Sequence, residues 1–545
     1  MTQTRTAFPA RRARPPNSPG LRCLHAAVVI ALQMIETIHP ASAQTPPTIC
    51  VAARPFITRS RAALSAGDSA SAIRELSRAT EVDPDCAEVY LLWGLTEFHE
   101  GMTANSIQHY KRALDANPRS YSAHYNLALA YVREHKLHDA RAELEQAATL
   151  DPSQADAAYD LGIVLLELHE PAAALIQLRH ARILNPGRAD VVFNVVRAEL
   201  EAGQLTEAQK EARASAEHFG SDFQWNAAVG QLFLQNAQAK DAALYLLAAN
   251  RIRPDDIEIR HQLALTYLQS GEADEVLNVI GEPKTSDDHY LRASAYYASH
   301  RFEKADKESE LAVAMTPDSP QVLVLRTRLL QRAGEQDNAL LLAQKAIALA
   351  PNWDEPYYLA GISYYFIRRY DKAEENLARA VELNPSAARA LFLQYIALAN
   401  LGKITDAERC LRRAIDLDPQ NARLHCHIGI LLLRKNEIAQ AEASFRKAIQ
   451  LNPKYGLSHF ELGKLLVASQ QFMPAAEEFE QAVKYDPGMS AAYYQLGRVY
   501  AKLGEVDKSR HMFAEFERLH KQEQQDPGSV DKEQNEDARK ATESP

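Results

Sequence analysis

Histidine, cysteine and carboxylate side chains carry most protein chemistry, so their spacing is weighed first. His425-Cys426-His427 is the densest such cluster in the chain. Neighbouring residues on a helix point about 100° apart, so these three do not converge on one ion. His425 and His459 share one register position of a recurring pattern, where packing is expected. His135 and His138 flank a turn and read as surface histidines. H-E-x-x-H, G-x-S-x-G and G-x4-G-K-[ST] are all missing from the sequence. The expectation is therefore a chain with no catalytic residues, no cofactor and no metal. Four cysteines follow residue 43: Cys50 and Cys86, 36 apart, and Cys410 and Cys426, on successive helices. Either pair could join in an oxidising compartment; four separate thiols are the alternative.

The elements that position these residues are helices, and they recur. In Asp354–Pro385 the apolar residues fall at helical spacing: Tyr357, Ala360 and Tyr364, then Ala373, Leu377 and Ala380. A break at Arg368–Asp371 separates two amphipathic helices, neither of which can stay dry without a partner. Prolines repeat with this unit. Pro84, Pro118, Pro152 and Pro186 are spaced by 34, Gly220 takes the next slot, and Pro254 follows. Pro317, Pro351, Pro385, Pro419, Pro453 and Pro487 resume the same spacing of 34. Each marks a helix end, where no further helical hydrogen bond is needed. Small residues recur early in each second helix, as at Ala140, Ala373 and Ala441, and again seven residues later, at Ala147, Ala380 and Ala448. Seven residues is two turns, so both lie on one face and let paired helices approach closely. Composition agrees, with 46% hydrophobic and 24% charged residues and no run of strand-forming alternation.

This pattern resembles the tetratricopeptide repeat. Tyr493-x2-Leu496-Gly497-x2-Tyr500 matches the first half of that motif, with Tyr357-x2-Ala360-Gly361-x2-Tyr364 and Tyr90-x2-Trp93-Gly94 close to it. Ala441-x3-Phe445 and Ala475-x3-Phe479 match the second half. The resemblance covers roughly residues 53–520, about fourteen units. It implies an all-α fold of helix-turn-helix repeats stacked into a right-handed α-α superhelix, or solenoid. The expected organisation is repeats 1–7 over 53–285 and repeats 8–14 over 286–520. The unit Ile257–Thr285 is short and closes at Gly281-Glu282-Pro283, which predicts a bend or a tighter turn at Gly281–Asp287.

The resemblance also implies where a partner would lie. First helices line the inner surface of such a superhelix, and extended protein segments bind there. The motif-matched positions hold Tyr125, Tyr159, Phe193, Tyr290, Tyr358, Phe392, Phe460 and Tyr494, with Asn126, Asp160 and Asn194 beside them. Phe366 lies on the same face. Rings supply contact area at low entropy cost, and amides can hydrogen-bond a bound backbone. Arg328, Arg332, Lys464 and Arg498 make the later part of this surface basic, which favours an acidic partner segment. The function expected is a protein-interaction scaffold, not an enzyme. Alternatives are an accessory subunit of an envelope secretion or export assembly, and a regulatory part of a glycosyltransferase-type enzyme.

The first 43 residues read as a secretory signal: five arginines, the apolar run Leu24–Ile35, and Ala41-Ser42-Ala43 before Gln44. The mature chain would be periplasmic or secreted from a bacterial envelope, or cytoplasmic if the leader is retained. The leader holds five Arg against one Glu, so its loss takes the net charge from −10 to about −14. That disfavours nucleic acid as a partner, since phosphates need a basic surface. No later segment has the ~18 apolar residues of a transmembrane helix. Residues 44–52 read as a linker and 521–545 as a disordered charged tail.

Overall fold

A computed structural model describes residues 50–525, and side chains to residue 522. The leader, most of the linker and most of the tail lie outside the described residues. The described residues form 28 helices, in fourteen consecutive pairs, and no strand. The first helix of each pair is called A and the second B. The chain divides into two compact units, Met1–Glu272 and Ala273–Pro545. This division falls between the A helix of repeat 7 (Ile257–Ser270) and its B helix (Ala273–Ile280), upstream of the glycine–proline stretch that the sequence singles out.

Each hairpin turns on a single left-handed residue. Gly67, Gly101, Gly203, Gly271, Gly334, Gly402 and Gly504 serve seven of them. His135, His169, Ala237, His300, Arg368, Asn436 and Gln470 serve the other seven. One residue with positive φ ends helix A, satisfies its last carbonyls and redirects the chain into helix B. A second device closes the repeat. In several repeats the fourth residue of helix A hydrogen-bonds to the carbonyl of the proline that ends the preceding repeat. Tyr90 donates to Pro84 (2.9 Å), Tyr357 to Pro351 (3.2 Å), His425 to Pro419 (2.9 Å) and His459 to Pro453 (2.9 Å). The motif's aromatic position thus carries a polar tip for a chemical reason: it caps an orphan carbonyl.

Close approach explains the small residues. Ala140, Ala147, Ala373, Ala380, Ala441 and Ala448 are all buried. On helix Asp354–Phe366, a β-carbon at Gly361 would meet Leu377 Cγ at 2.5 Å. On helix Gly456–Ala468, one at Gly463 would meet Phe479 Cε1 at 2.7 Å. The large B-helix residue fills the space that the A-helix glycine leaves open.

Two repeats depart from the period. In repeat 5 helix B runs Leu205–Phe219, and Phe219 packs on Trp225 of the next helix, ring centres 5.0 Å apart. Ala212 is fully buried. In repeat 7 helix B has only 8 residues and ends at Gly281, whose φ is +60°. The turn after it is well tied. Thr285 and Asp288 form a reciprocal capping box, with the Asp288 carboxylate also accepting from the amide of Lys284 at 3.0 Å. Arg292 donates to the carbonyl of Gly281. Leu277 packs with Tyr290 and Tyr297 against the core of the following repeat.

At the ends, Cys50 and Cys86 are joined by a disulfide. Asp83 has a carboxylate oxygen within 4.8 Å of both sulfurs, but the bond already uses both. Cys410 and Cys426 are buried thiols, and Cys410 lies 3.4 Å from Gln394 Oε1. The last helix runs Val506–Gln525, so it takes in the first five residues of the stretch read as a tail. Among the described residues no helix is long and apolar enough to cross a membrane.

Candidate partner-binding face

Within each unit, successive A helices set their fifth residues in a row, and this row holds the rings that the sequence places on the partner face. In the first unit the relevant A helices are Tyr121–Arg133, Ala155–Glu167 and Ala189–Glu201. Tyr125 donates to Asp160 at 2.7 Å. Asn194 donates to the Tyr159 hydroxyl at 3.2 Å and to the carbonyl of Asp190 at 2.9 Å. Asn126 turns back to the carbonyl of Ser122. Arg188 sits over the Tyr159 ring at 4.7 Å and pairs with Asp156 (2.6 Å) and Asp190 (2.7 Å). Phe193 is half-buried.

Asp160 is the most perturbed acid in this group. Burial pushes its carboxyl up from 3.8 to about 7, and Asp156 and Asp190 add to the rise. The Tyr125 hydroxyl and Arg188 oppose it without cancelling it. Burial also raises Tyr125, beside this carboxylate.

The second unit has a row of its own, on helices Ser286–Ala298, Asp354–Phe366, Ala388–Asn400, Ala422–Arg434, Gly456–Ala468 and Ser490–Leu503. Here the rings meet cations. Arg389 lies over Tyr358 at 5.4 Å, Arg423 over Phe392 at 5.7 Å, Lys464 over Phe460 at 5.0 Å and Arg498 over Tyr494 at 5.7 Å. Arg332 stacks on Phe302 at 3.5 Å. Arg328 pairs with Glu355 at 2.7 Å, and Lys464 with Glu461 at 2.8 Å. Tyr290 is half-buried, and Phe366 meets Tyr365 edge-on at 5.7 Å. His427 packs on Phe392 and hydrogen-bonds Tyr395, while His425 reaches the Pro419 carbonyl, so the two histidines serve different neighbours.

The sequence reading therefore needs one correction. Tyr159, Asp160, Asn194, Tyr358 and Phe392 are buried, at 3–6% exposure. They join one A helix to the next and have little surface left for a partner. The physical reason is the close stacking that the small residues permit. A ring at the fifth position is covered by the following repeat, and its polar edge finds an acceptor or donor there. Tyr494 (40% exposed), Arg332 and Arg498 remain at the surface. Tyr125, Asn126, Phe193, Tyr290, Arg328, Phe366, Phe460 and Lys464 are half-buried. Arg188 and Arg389 were missed. Arg389 is the second residue of its A helix, the register that elsewhere holds Asp156, Asp190 and Glu355, while Arg188 is the residue just before helix Ala189–Glu201 and pairs with two of those acids.

A family profile described as "Tetratricopeptide repeat" matches residues 57–121, 125–189, 358–399, 394–455 and 460–522. No curated protein matches the chain by sequence. Among solved structures, the Cut9–Hcn1 hetero-tetramer of the APC/C is 13% identical, with 82% of this chain and 96% of that chain covered at a TM-score of 0.41. YrrB, described as a TPR protein with an unusual peptide-binding site, is 23% identical, with 34% and 96% covered at a TM-score of 0.31. Yeast Tom70 is 17% identical, with 79% and 92% covered at a TM-score of 0.32. The profile matches span more than half of the 545 residues and fall on the helix pairs whose glycines, alanines and closing prolines are described above, so the chain belongs to the tetratricopeptide-repeat family, whose arrays are protein-interaction scaffolds and typically carry no catalytic chemistry.

Proposed function

We propose that this chain is an exported scaffold that holds an extended segment of a partner protein along its A-helix face. The observation that carries the reading is the row of rings and cations on successive A helices, with Tyr494, Arg332 and Arg498 at the surface. A row of this kind gives an extended chain repeated contact area without reading one fixed side chain. The Cys50–Cys86 disulfide supports export, because such bonds persist in oxidising compartments. The basic, apolar and small-residue leader supports the same compartment. The partner would then belong to an envelope assembly.

The test uses the full chain and a panel of labelled extended peptides of differing charge. Tyr494→Ala is expected to weaken capture by about tenfold, a loss in the range of a peripheral aromatic contact. An exchange on an outer helix, Ile183→Ala, is expected to leave capture unchanged; Ile183 is 78% exposed on helix Pro171–Leu184. Equal loss in both variants, or capture by neither protein, would reject the A-helix face. Amino-terminal sequencing of the chain from cells tests export: a start at Gln44 is expected, and an intact Met1 in a soluble cytosolic fraction would reject it.

A further inference from the structure

We propose that Cys50, Asp83 and Cys86 form a zinc site when the disulfide between the two cysteines is reduced, so that the first repeat is tied either by a covalent bond or by a metal ion. The two sulfurs and a carboxylate oxygen of Asp83 all lie within 4.8 Å of one another. The α-carbons of the two cysteines are 5.6 Å apart. Two thiolates at the tetrahedral angle on one zinc ion stand about 3.8 Å apart, so the three ligand atoms need to move little to surround it.

The backbone already presents them. Asp83 ends helix Ser69–Val82 and Cys86 starts helix Ala87–His99, with Pro84 and Asp85 between them. The turn is closed by the amide of Cys86 donating to the carbonyl of Asp83 at 3.3 Å. Ligands at the first and fourth positions of a tight turn are how C-x2-C pairs face zinc, and here a carboxylate takes the first place. Cys50 comes in from the turn before helix Arg54–Ser65, its carbonyl accepting from the amide of Arg54 at 3.0 Å. Cys86 is buried at a helix N-terminus, which favours the thiolate, and Cys50 is half-buried, which leaves a way in. The half-buried Asp83 side chain has no hydrogen bond or ion pair among the described residues.

Two thiolates and one carboxylate suit zinc better than magnesium or calcium, which prefer oxygen throughout. Opening the bond takes two electrons and two protons, supplied by a thiol reductant whose own sulfurs become a disulfide. Each cysteine then gives up its proton to bind the ion, two per metal, and water fills the fourth position. Both ties draw on the same sulfurs and close the same span of 36 residues, so they exclude each other and hold the same helices.

The test uses the full chain carrying C23S, reduced and kept from air, with cobalt(II) as the visible probe and zinc as its competitor. One equivalent of cobalt is expected to give a thiolate-to-metal band in the near ultraviolet, which zinc abolishes. C50S and C86S are expected to weaken zinc binding about a hundredfold, and D83N, which keeps both thiols, about tenfold. C410S/C426S is expected to change nothing, and the oxidised chain to bind no cobalt. Hydrogen exchange in helices Arg54–Ser65 and Ser69–Val82, raised by reduction, is expected to fall again when zinc is added. No thiolate band, or zinc affinity equal in parent, C50S and C86S, would leave the corner as a disulfide alone. An affinity unchanged in D83N would overturn the three-ligand site. Loss of the band in C410S/C426S would assign the ion to the buried thiols instead.

Discussion

Asp160 is buried among Tyr125, Asp156, Arg188 and Asp190, and its carboxyl is pushed up from 3.8 to about 7. A carboxyl with a raised value in the fold binds a proton more readily there than in the unfolded chain. Its contribution is therefore most favourable below about pH 4 and is lost as pH rises to about 7. Asp160→Asn keeps an acceptor for the Tyr125 hydroxyl and cannot ionise. Thermal melts between pH 4 and pH 8 are expected to fall less steeply in this variant than in the parent. Parallel slopes would mean that Asp160 ionises normally. His459 behaves oppositely in charge but not in direction. Burial works against the charged ring, yet Glu478 at 2.6 Å and the Pro453 carbonyl at 2.9 Å outweigh it, and its value is raised. Both ring nitrogens face acceptors, which suits the doubly protonated form. The stability it adds is present below about pH 6.5 and is lost as pH rises through the higher folded value. His459→Gln is expected to cost most at mildly acidic pH and little at pH 9. A cost that does not vary with pH would reduce His459 to packing.

At the scale of the helix pair, the period is enforced by sterics. Gly361→Ala gains helix propensity of about 1 kcal/mol. It also drives a methyl to 2.5 Å from Leu377 Cγ, a branch point that cannot swing aside. Overpacking of this kind costs about 1–3 kcal/mol, so net destabilisation is expected in chemical denaturation. The hairpin turns give a change of opposite sign. Ala237 holds a φ of +57° at an exposed turn between helices Phe223–Gln235 and Ala239–Ile252. Left-handed backbone costs a residue with a β-carbon about 1–2 kcal/mol, part of which glycine gives back as unfolded-state entropy. Ala237→Gly is expected to stabilise by about 0.5–1 kcal/mol, and a loss of stability would contradict the turn geometry. The short helix Ala273–Ile280 fits the same logic: Gly281 ends it, and the Thr285–Asp288 capping box starts the next helix.

At the scale of the molecule, the disulfide sets the start of the array. It ties Cys50, just ahead of the first helix, to Cys86, the residue that caps helix Ala87–His99. Ala53, Ile57, Leu76, Ala79 and Val89 are buried beside it. Closing a loop of 36 residues restricts the unfolded chain by about 2–4 kcal/mol. Reduction, or Cys50→Ser, is expected to raise hydrogen exchange in helices Arg54–Ser65 and Ser69–Val82. Exchange unchanged on reduction would make the bond incidental to folding. In this repeat the tie matters more than elsewhere, because among the described helices its first helix has a neighbour on one side only.

Much of this was written in the chain itself. The 34-residue spacing of the prolines, the small residues two turns apart and the two amphipathic stripes of Asp354–Pro385 rest on helix geometry, which is local. They were enough for the all-helical fold of stacked helix pairs. What they left open depends on distances across a whole repeat. Cys50 and Cys86 meet while Cys410 and Cys426 stay buried thiols, because only the first pair is brought together at the end of a stack. Tyr159 and Tyr358 look like contact residues in the sequence, but the next A helix covers them. Arg188 and Arg389 lie about thirty residues beyond the rings they cover. Helix periodicity says which face a side chain takes. Only the stacking of one helix pair on the next decides whether that face is left for a partner.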